Sequence, residues 1–231
     1  MESRLTVSSG ITFPAPGGPV GIYLYWLPLG AGGVGFVRLN GRLYEAIKAR
    51  VEGRSRLDIY HTALLIQLAE ARYVVENAWP SPDADIASRG VVLEGPVFSN
   101  RLGRYRPFRY EVRSWRNGVI EDADDAVEID LVDENPARGQ RIIHLASRVP
   151  AMRWGRDDLQ AGEMWNSNSV ISYLLTRSGV DVESILAPPG GRAPGWEAGI
   201  YAARLQQRDD EVNDERGTPW RPDASAERLR L

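Results

Sequence analysis

EMWNSNSVISYLL, Glu163 to Leu175, sets a run of small polar residues directly before an apolar helical pattern. Asn166, Ser167, Asn168 and Ser169 alternate amide and hydroxyl. A helix start needs one side chain to accept from a free backbone N–H, a bond worth about 1 kcal/mol. Four such residues exceed that need. Val170, Ile171, Leu174 and Leu175 then recur at helical spacing, and Gly179 supplies a stop. The stretch therefore predicts a buried helix from about 167 to 178. The surplus hydroxyls at its start suggest a site, because a helix N-terminus offers free N–H groups and partial positive charge to a nucleophile and its oxyanion.

Upstream, the β signal is strong. Residues 60–68 and 72–79 are apolar and β-branched runs joined by a short Ala-Glu-Ala connection, which reads as a hairpin. Residues 22–29, 90–98 and 108–120 have strand composition. In the last of these Phe108, Tyr110 and Val112 alternate with Arg109, Glu111 and Arg113, which predicts one buried and one wet face. Asn40-Gly41 marks a turn leading to a short helix at 43–52, and 138–148 reads as a further helix. The expected fold class is α+β, with a central antiparallel sheet packed against the helix that starts near Ser167. Residues 1–20, rich in Ser, Pro and Gly, read as a flexible arm; 21–203 form one domain; 204–231, dense in charge of both signs, read as an exposed tail.

Composition narrows the chemistry. The chain has 231 residues, 43% of them hydrophobic, and a net charge of -3, which gives no global drive toward nucleic acid or anionic surfaces. It has no cysteine, so disulfides, thiolate metal sites and a cysteine nucleophile are excluded. With two histidines besides, no metal or other cofactor is expected. The N-terminal stretch lacks the charge and apolar pattern of a signal peptide, and the apolar run near residue 22 is broken by Pro28 and glycines, so no membrane span and a cytoplasmic location are expected.

Several motifs compete. GAGGVG at 30–35 matches a dinucleotide fingerprint in letters, but strand and turn residues follow where a helix must open, so it reads as a loop. Residues 101–116 interleave six arginines with Tyr105, Phe108, Tyr110 and Trp115, the composition of a single-strand nucleic-acid platform or of a solvated strand face. His144 sits in a helical pattern and reads as a packing residue. His61 opens a strongly apolar strand, and Glu76 lies on the strand that follows. An imidazole and a carboxylate on adjacent strands can form an oriented general base. With Ser167 they give a hydroxyl, an imidazole and a carboxylate.

In chain order, YHTALLI (60–66), RYVVENAW (72–79) and NSNSVISYLL (166–175) resemble the circularly permuted papain-like proteins, the NlpC-like group that includes lecithin retinol acyltransferase and the YiiX-type proteins. The resemblance spans roughly residues 20–180. It implies that His61 is the base, Glu76 its orienting partner, and Ser167 the occupant of the nucleophile position after Asn166. It also implies Trp165, Asn166, Asn168 and Ser169 as the binding residues around that position. The family nucleophile is a thiol; a serine hydroxyl is far less acidic and needs His61 to take its proton during attack. Three functions follow as expectations. The first is a catalytically silent papain-like module that binds a peptide or acyl-type ligand. The second is a serine-dependent hydrolase or acyltransferase using Ser167, His61 and Glu76. The third is a nucleic-acid or protein adaptor working through 101–116.

Overall fold

Two consecutive strands anchor the architecture, β2 (Gly21–Pro28) and β3 (Asp58–Gln67), paired antiparallel from Gly21↔Gln67 to Pro28↔Tyr60. The computed structural model describes residues 4–5, 18–29, 57–80, 90–120 and 122–215. The remaining strands are β1 (Arg4–Leu5), β4 (Arg72–Ala78), β5 (Val91–Pro96), β6 (Arg109–Arg116), β7 (Glu128–Asp133) and β8 (Gly191–Arg192). The antiparallel sheet runs β1-β7-β2-β3-β4-β6-β5, and β8 adds a short parallel pairing to the start of β3. Among the described residues there are three α-helices: α1 (Pro136–Leu145) and α2 (Ser167–Ser178), which follow β7, and α3 (Trp196–Glu215), which follows β8. The protein is thus α+β with an antiparallel sheet. The loop at 30–35, the turn at Asn40-Gly41 and the helix expected at 43–52 lie outside the described residues.

Both faces of β2 and β3 are buried, which is why neither strand alternates cleanly between apolar and polar residues. One face packs on the helices. Leu24 and Trp26 of β2, Leu64 and Ile66 of β3, and Val75 of β4 meet Ile142 of α1, Val170, Ile171 and Leu174 of α2, and Ile200 of α3. The far face gathers Tyr23, Tyr25, Leu27, Ala63, Leu65, Val74 and Ile129 under Ile120 and Ala126.

The helix α2 has the limits its sequence predicts. Asn166, in the extended region, caps it, and Gly179 closes it at φ +86°, a left-handed conformation that suits glycine. It packs tightly on α3. A Cβ on Gly199 would lie 2.1 Å from both the Ser169 carbonyl oxygen and the Ser172 hydroxyl, so the two helix backbones approach as closely as they do only because no side chain intervenes. Gly199→Ala should force them apart and cost about 2 kcal/mol, read as a lower urea midpoint at unchanged slope.

Four expectations are corrected. Strand β7 was not anticipated; it lies just after an acidic run, 121–125, in a stretch of mixed character. The pattern of one wet face on β6 fails, since Glu111 and Arg113 are buried beside Tyr110 and Val112 while Phe108 is exposed. The arm at 1–20 contributes Arg4–Leu5 to the sheet, paired with Asp130 and Ile129. The tail expected from residue 204 is helical to Glu215 and docked past that boundary: Arg177 donates to Asp210 (2.7 Å) and Tyr173 bonds Gln206.

Candidate functional site

Except for Ser167, the polar run at the start of α2 is consumed by the fold. The Asn166 side-chain oxygen accepts from the Asn168 backbone N–H (2.9 Å), and its amide donates to the Pro194 carbonyl (2.8 Å). The Ser169 hydroxyl accepts from the Asn166 backbone N–H (3.0 Å), completing a capping box, and donates to the Gly195 carbonyl (2.7 Å). Asn168 is buried. It accepts from the Thr62 hydroxyl (3.0 Å) and donates to the carbonyls of Tyr60 (3.0 Å) and Pro194 (2.9 Å). One turn on, the Ser172 hydroxyl donates to the Trp196 carbonyl (2.7 Å).

These bonds share a purpose. The link from β8 into α3 crosses the start of α2 as irregular backbone, and its buried carbonyls need donors. The side chains of Asn166, Asn168, Ser169 and Ser172 supply them. Glu163 completes the clamp by accepting from the Gly195 N–H (2.7 Å) and from Arg192 (3.1 Å). Gly195 sits at φ +88°, and a Cβ there would meet the Asn166 amide at 2.6 Å. Trp165 is buried against Tyr173, edge to face at 6.5 Å between ring centroids. Of the residues expected to bind ligand, Trp165, Asn168 and Ser169 are buried within the fold, and Asn166 serves as the cap.

Ser167 opens the helix and is 7% exposed, and its hydroxyl makes no hydrogen bond among the described residues. His61 does not reach it. Side chains alternate across a strand, so Thr62 shares the helix face with Tyr60 and Leu64, and His61 shares the far face with Ala63 and Leu65. Two observations fix this parity: Thr62 bonds Asn168 of α2, and His61 Nε2 pairs with Asp122 (2.9 Å), which lies between Ile120 and Ala126 of the far-face cluster. The sheet stands between Ser167 and His61.

Glu76 is not the partner of His61 either. The register Leu65↔Val74 sets it level with Ala63, and its carboxylate pairs with Arg113 (3.0 Å). Arg113 also bonds Glu111 (3.1 Å) and the Trp79 carbonyl (3.1 Å), and its guanidinium lies 5.8 Å from the Trp115 ring centroid. The expected triad of His61, Glu76 and Ser167 is therefore not assembled. Asp122 is not legible in the sequence because it belongs to a run of acidic residues, and nothing local marks it as the partner of the imidazole.

The arginine-rich segment is corrected too. Residues 101–108 form two one-turn helices rather than strand. On β6, Arg113 is buried in its ion pair on one face and Tyr110 is fully buried on the other, so neither face is a platform for bases. Arg109 is spent on structure: it donates to the carbonyls of Gly103 (2.7 Å) and Arg104 (3.3 Å) and pairs with Glu94 (3.0 Å).

A shallow depression of about 160 Å³, lined in part by Met152, Leu159, Glu163 and Trp165, lies beside the clamp. That space includes open solvent and has essentially no enclosed volume, against the roughly 300–1,000 Å³ of small-molecule sites. Among the described residues no group of three or more His, Asp or Glu is placed to hold a metal ion, and no helix is long and apolar enough to cross a membrane. Comparison with protein-family models, curated proteins and solved structures finds no match.

Proposed function

We propose that the chain is a catalytically silent binding module on a permuted papain-like frame, with a peptide or acyl-type ligand. The observation that carries the silent reading is the parity of β3: His61 is bonded to Asp122 on one face while Ser167 opens α2 on the other. A serine nucleophile needs a base within about 3 Å and donors aimed at the developing oxyanion. Here Thr62 faces the helix start in place of an imidazole, and the N–H groups of Asn168 and Ser169 are taken by the Asn166 side chain. The His61 ring makes no hydrogen bond among the described residues other than the one to Asp122. The papain-like frame is supported by the chain order of hairpin, then capped helix, and by α2 lying against β3 and β4. The ligand class rests on the resemblance of the three motifs.

A fluorophosphonate probe tests the silent reading. No labelling of Ser167 is expected at any pH near neutrality. Labelling that Ser167→Ala abolishes would overturn it. As a second readout, the reactivity of Ser167→Cys toward iodoacetamide should be the same with and without His61→Ala, because no imidazole lies beside it and only the helix N-terminus acts on the thiol. Thermal shift with short peptides and N-acyl amino acids tests the ligand class, which is withdrawn if none raises the Tm.

A further inference from the structure

Where β5 and β6 meet, the chain leaves the sheet as a structured excursion, Val97 to Phe108. The Val97 N–H donates to the Phe108 carbonyl (2.9 Å), closing its base, and each of its two short helical turns is closed by its own bond. Arg109 staples the interior through the Gly103 and Arg104 carbonyls. Despite this order, the excursion puts its apolar side chains outside: Phe98, Leu102, Tyr105 and Phe108 are between 41% and 64% exposed. Trp79, also exposed, stands next to it, edge to face with Trp154 at 5.9 Å, and the Trp154 carbonyl accepts from the Phe98 N–H (2.9 Å).

Phe98 is held there at a cost. Its φ is +57°, a region bulky side chains avoid, at about 1–3 kcal/mol. The ring lies over Gly155, where a Cβ would come within 2.4 Å of it. A strained backbone that turns a phenyl toward solvent is a poor way to stabilise a fold.

The charge is one-sided. Between Gly95 and Tyr110 there is no acidic residue, but there are Arg101, Arg104, Arg106 and Arg109, in a chain whose net charge is -3. Arg101 and Arg104 are exposed and make no ion pair among the described residues. Apolar tips flanked by arginines are the chemistry of an interfacial lipid contact, in which rings and aliphatic ends enter the headgroup region and guanidinium groups meet anionic lipid. A single nucleic-acid strand would need aromatic faces along a cationic groove. Neither face of β6 provides one, since Tyr110 is buried on one side and Arg113 on the other.

We propose that the excursion 97–108, with Trp79, docks the protein peripherally on anionic lipid bilayers. This is independent of the silent-site reading, since it involves none of the residues around Ser167. Co-sedimentation with vesicles tests it. The full chain should pellet with vesicles of equal parts phosphatidylcholine and phosphatidylglycerol and stay in solution with phosphatidylcholine alone. The double variant Arg101→Gln, Arg104→Gln should bind the anionic vesicles roughly 30-fold more weakly, each arginine counting for about fivefold near such a surface. Leu102→Ser with Tyr105→Ser should weaken binding as well, and both variants should keep the wild-type Tm because the side chains are exposed. Three results overturn the proposal: no pelleting with anionic vesicles, equal pelleting by wild type and both variants, or binding to a single-stranded oligonucleotide without binding to vesicles.

Discussion

Asn168→Ala is expected to destabilise the protein by about 3 kcal/mol, while Ser167→Ala, one residue away, should change stability by no more than about 0.5 kcal/mol. Asn168 has no exposed role to lose. Its amide is the one group that ties α2 at once to β3 and to the link into α3, through Thr62, Tyr60 and Pro194. Truncation leaves the Thr62 hydroxyl and the Tyr60 carbonyl without that partner in a dry site, whereas Pro194 keeps the Asn166 amide. Asn168→Asp separates hydrogen bonding from volume. It preserves shape but sets a second acceptor against the Tyr60 and Pro194 carbonyls, so it should be at least as damaging as alanine. Urea midpoints at constant slope give the comparison. A larger loss for Ser167→Ala than for Asn168→Ala would reverse the roles assigned to the two residues.

Arg113→Ala should cost about 3–5 kcal/mol, comparable with or larger than the Asn168 effect. Its guanidinium is buried between Glu76 and Glu111, and the Glu111 side chain has no solvent exposure at all. Removing the cation leaves Glu111 buried without that counter-charge. Arg113→Lys should rescue little, because an ammonium cannot span two carboxylates and the Trp79 carbonyl as the planar fork does. Arg113→Met combined with Glu111→Gln should recover part of the loss by removing both charges together. Added salt should leave the ranking unchanged, since buried pairs are weakly screened. Near-wild-type stability of Arg113→Ala would mean that the cluster is open to water.

The parts of the fold written in local rules were legible. The α2 boundaries follow from one cap and one left-handed glycine, and the β3–β4 hairpin from two apolar runs around a short polar turn. The capping box at Asn166 and Ser169 was within reach of the same rules; the cross-links from Asn168 and Ser172 were not, because their partners lie 24 or more residues away. β7 went unseen because acidic residues dominate its neighbourhood, although Ile129 points into the far-face core and Asp130 accepts from Trp26 (2.7 Å).

The candidate triad failed on one-residue parity. Chain order and residue type placed a histidine, a carboxylate and a hydroxyl in a familiar sequence, but order says nothing about which side of a strand a side chain leaves from. On an amphipathic strand the apolar face would have told. On β3 both faces are apolar, Ala63 and Leu65 on one, Leu64 and Ile66 on the other, so nothing in the run marks which faces the helix. The sequence by itself determined that a capped, buried helix follows an apolar hairpin in an α+β chain. Only the packing of α2 against the Thr62 side decided that His61 points the other way, toward Asp122, and that the polar start of the helix clamps backbone.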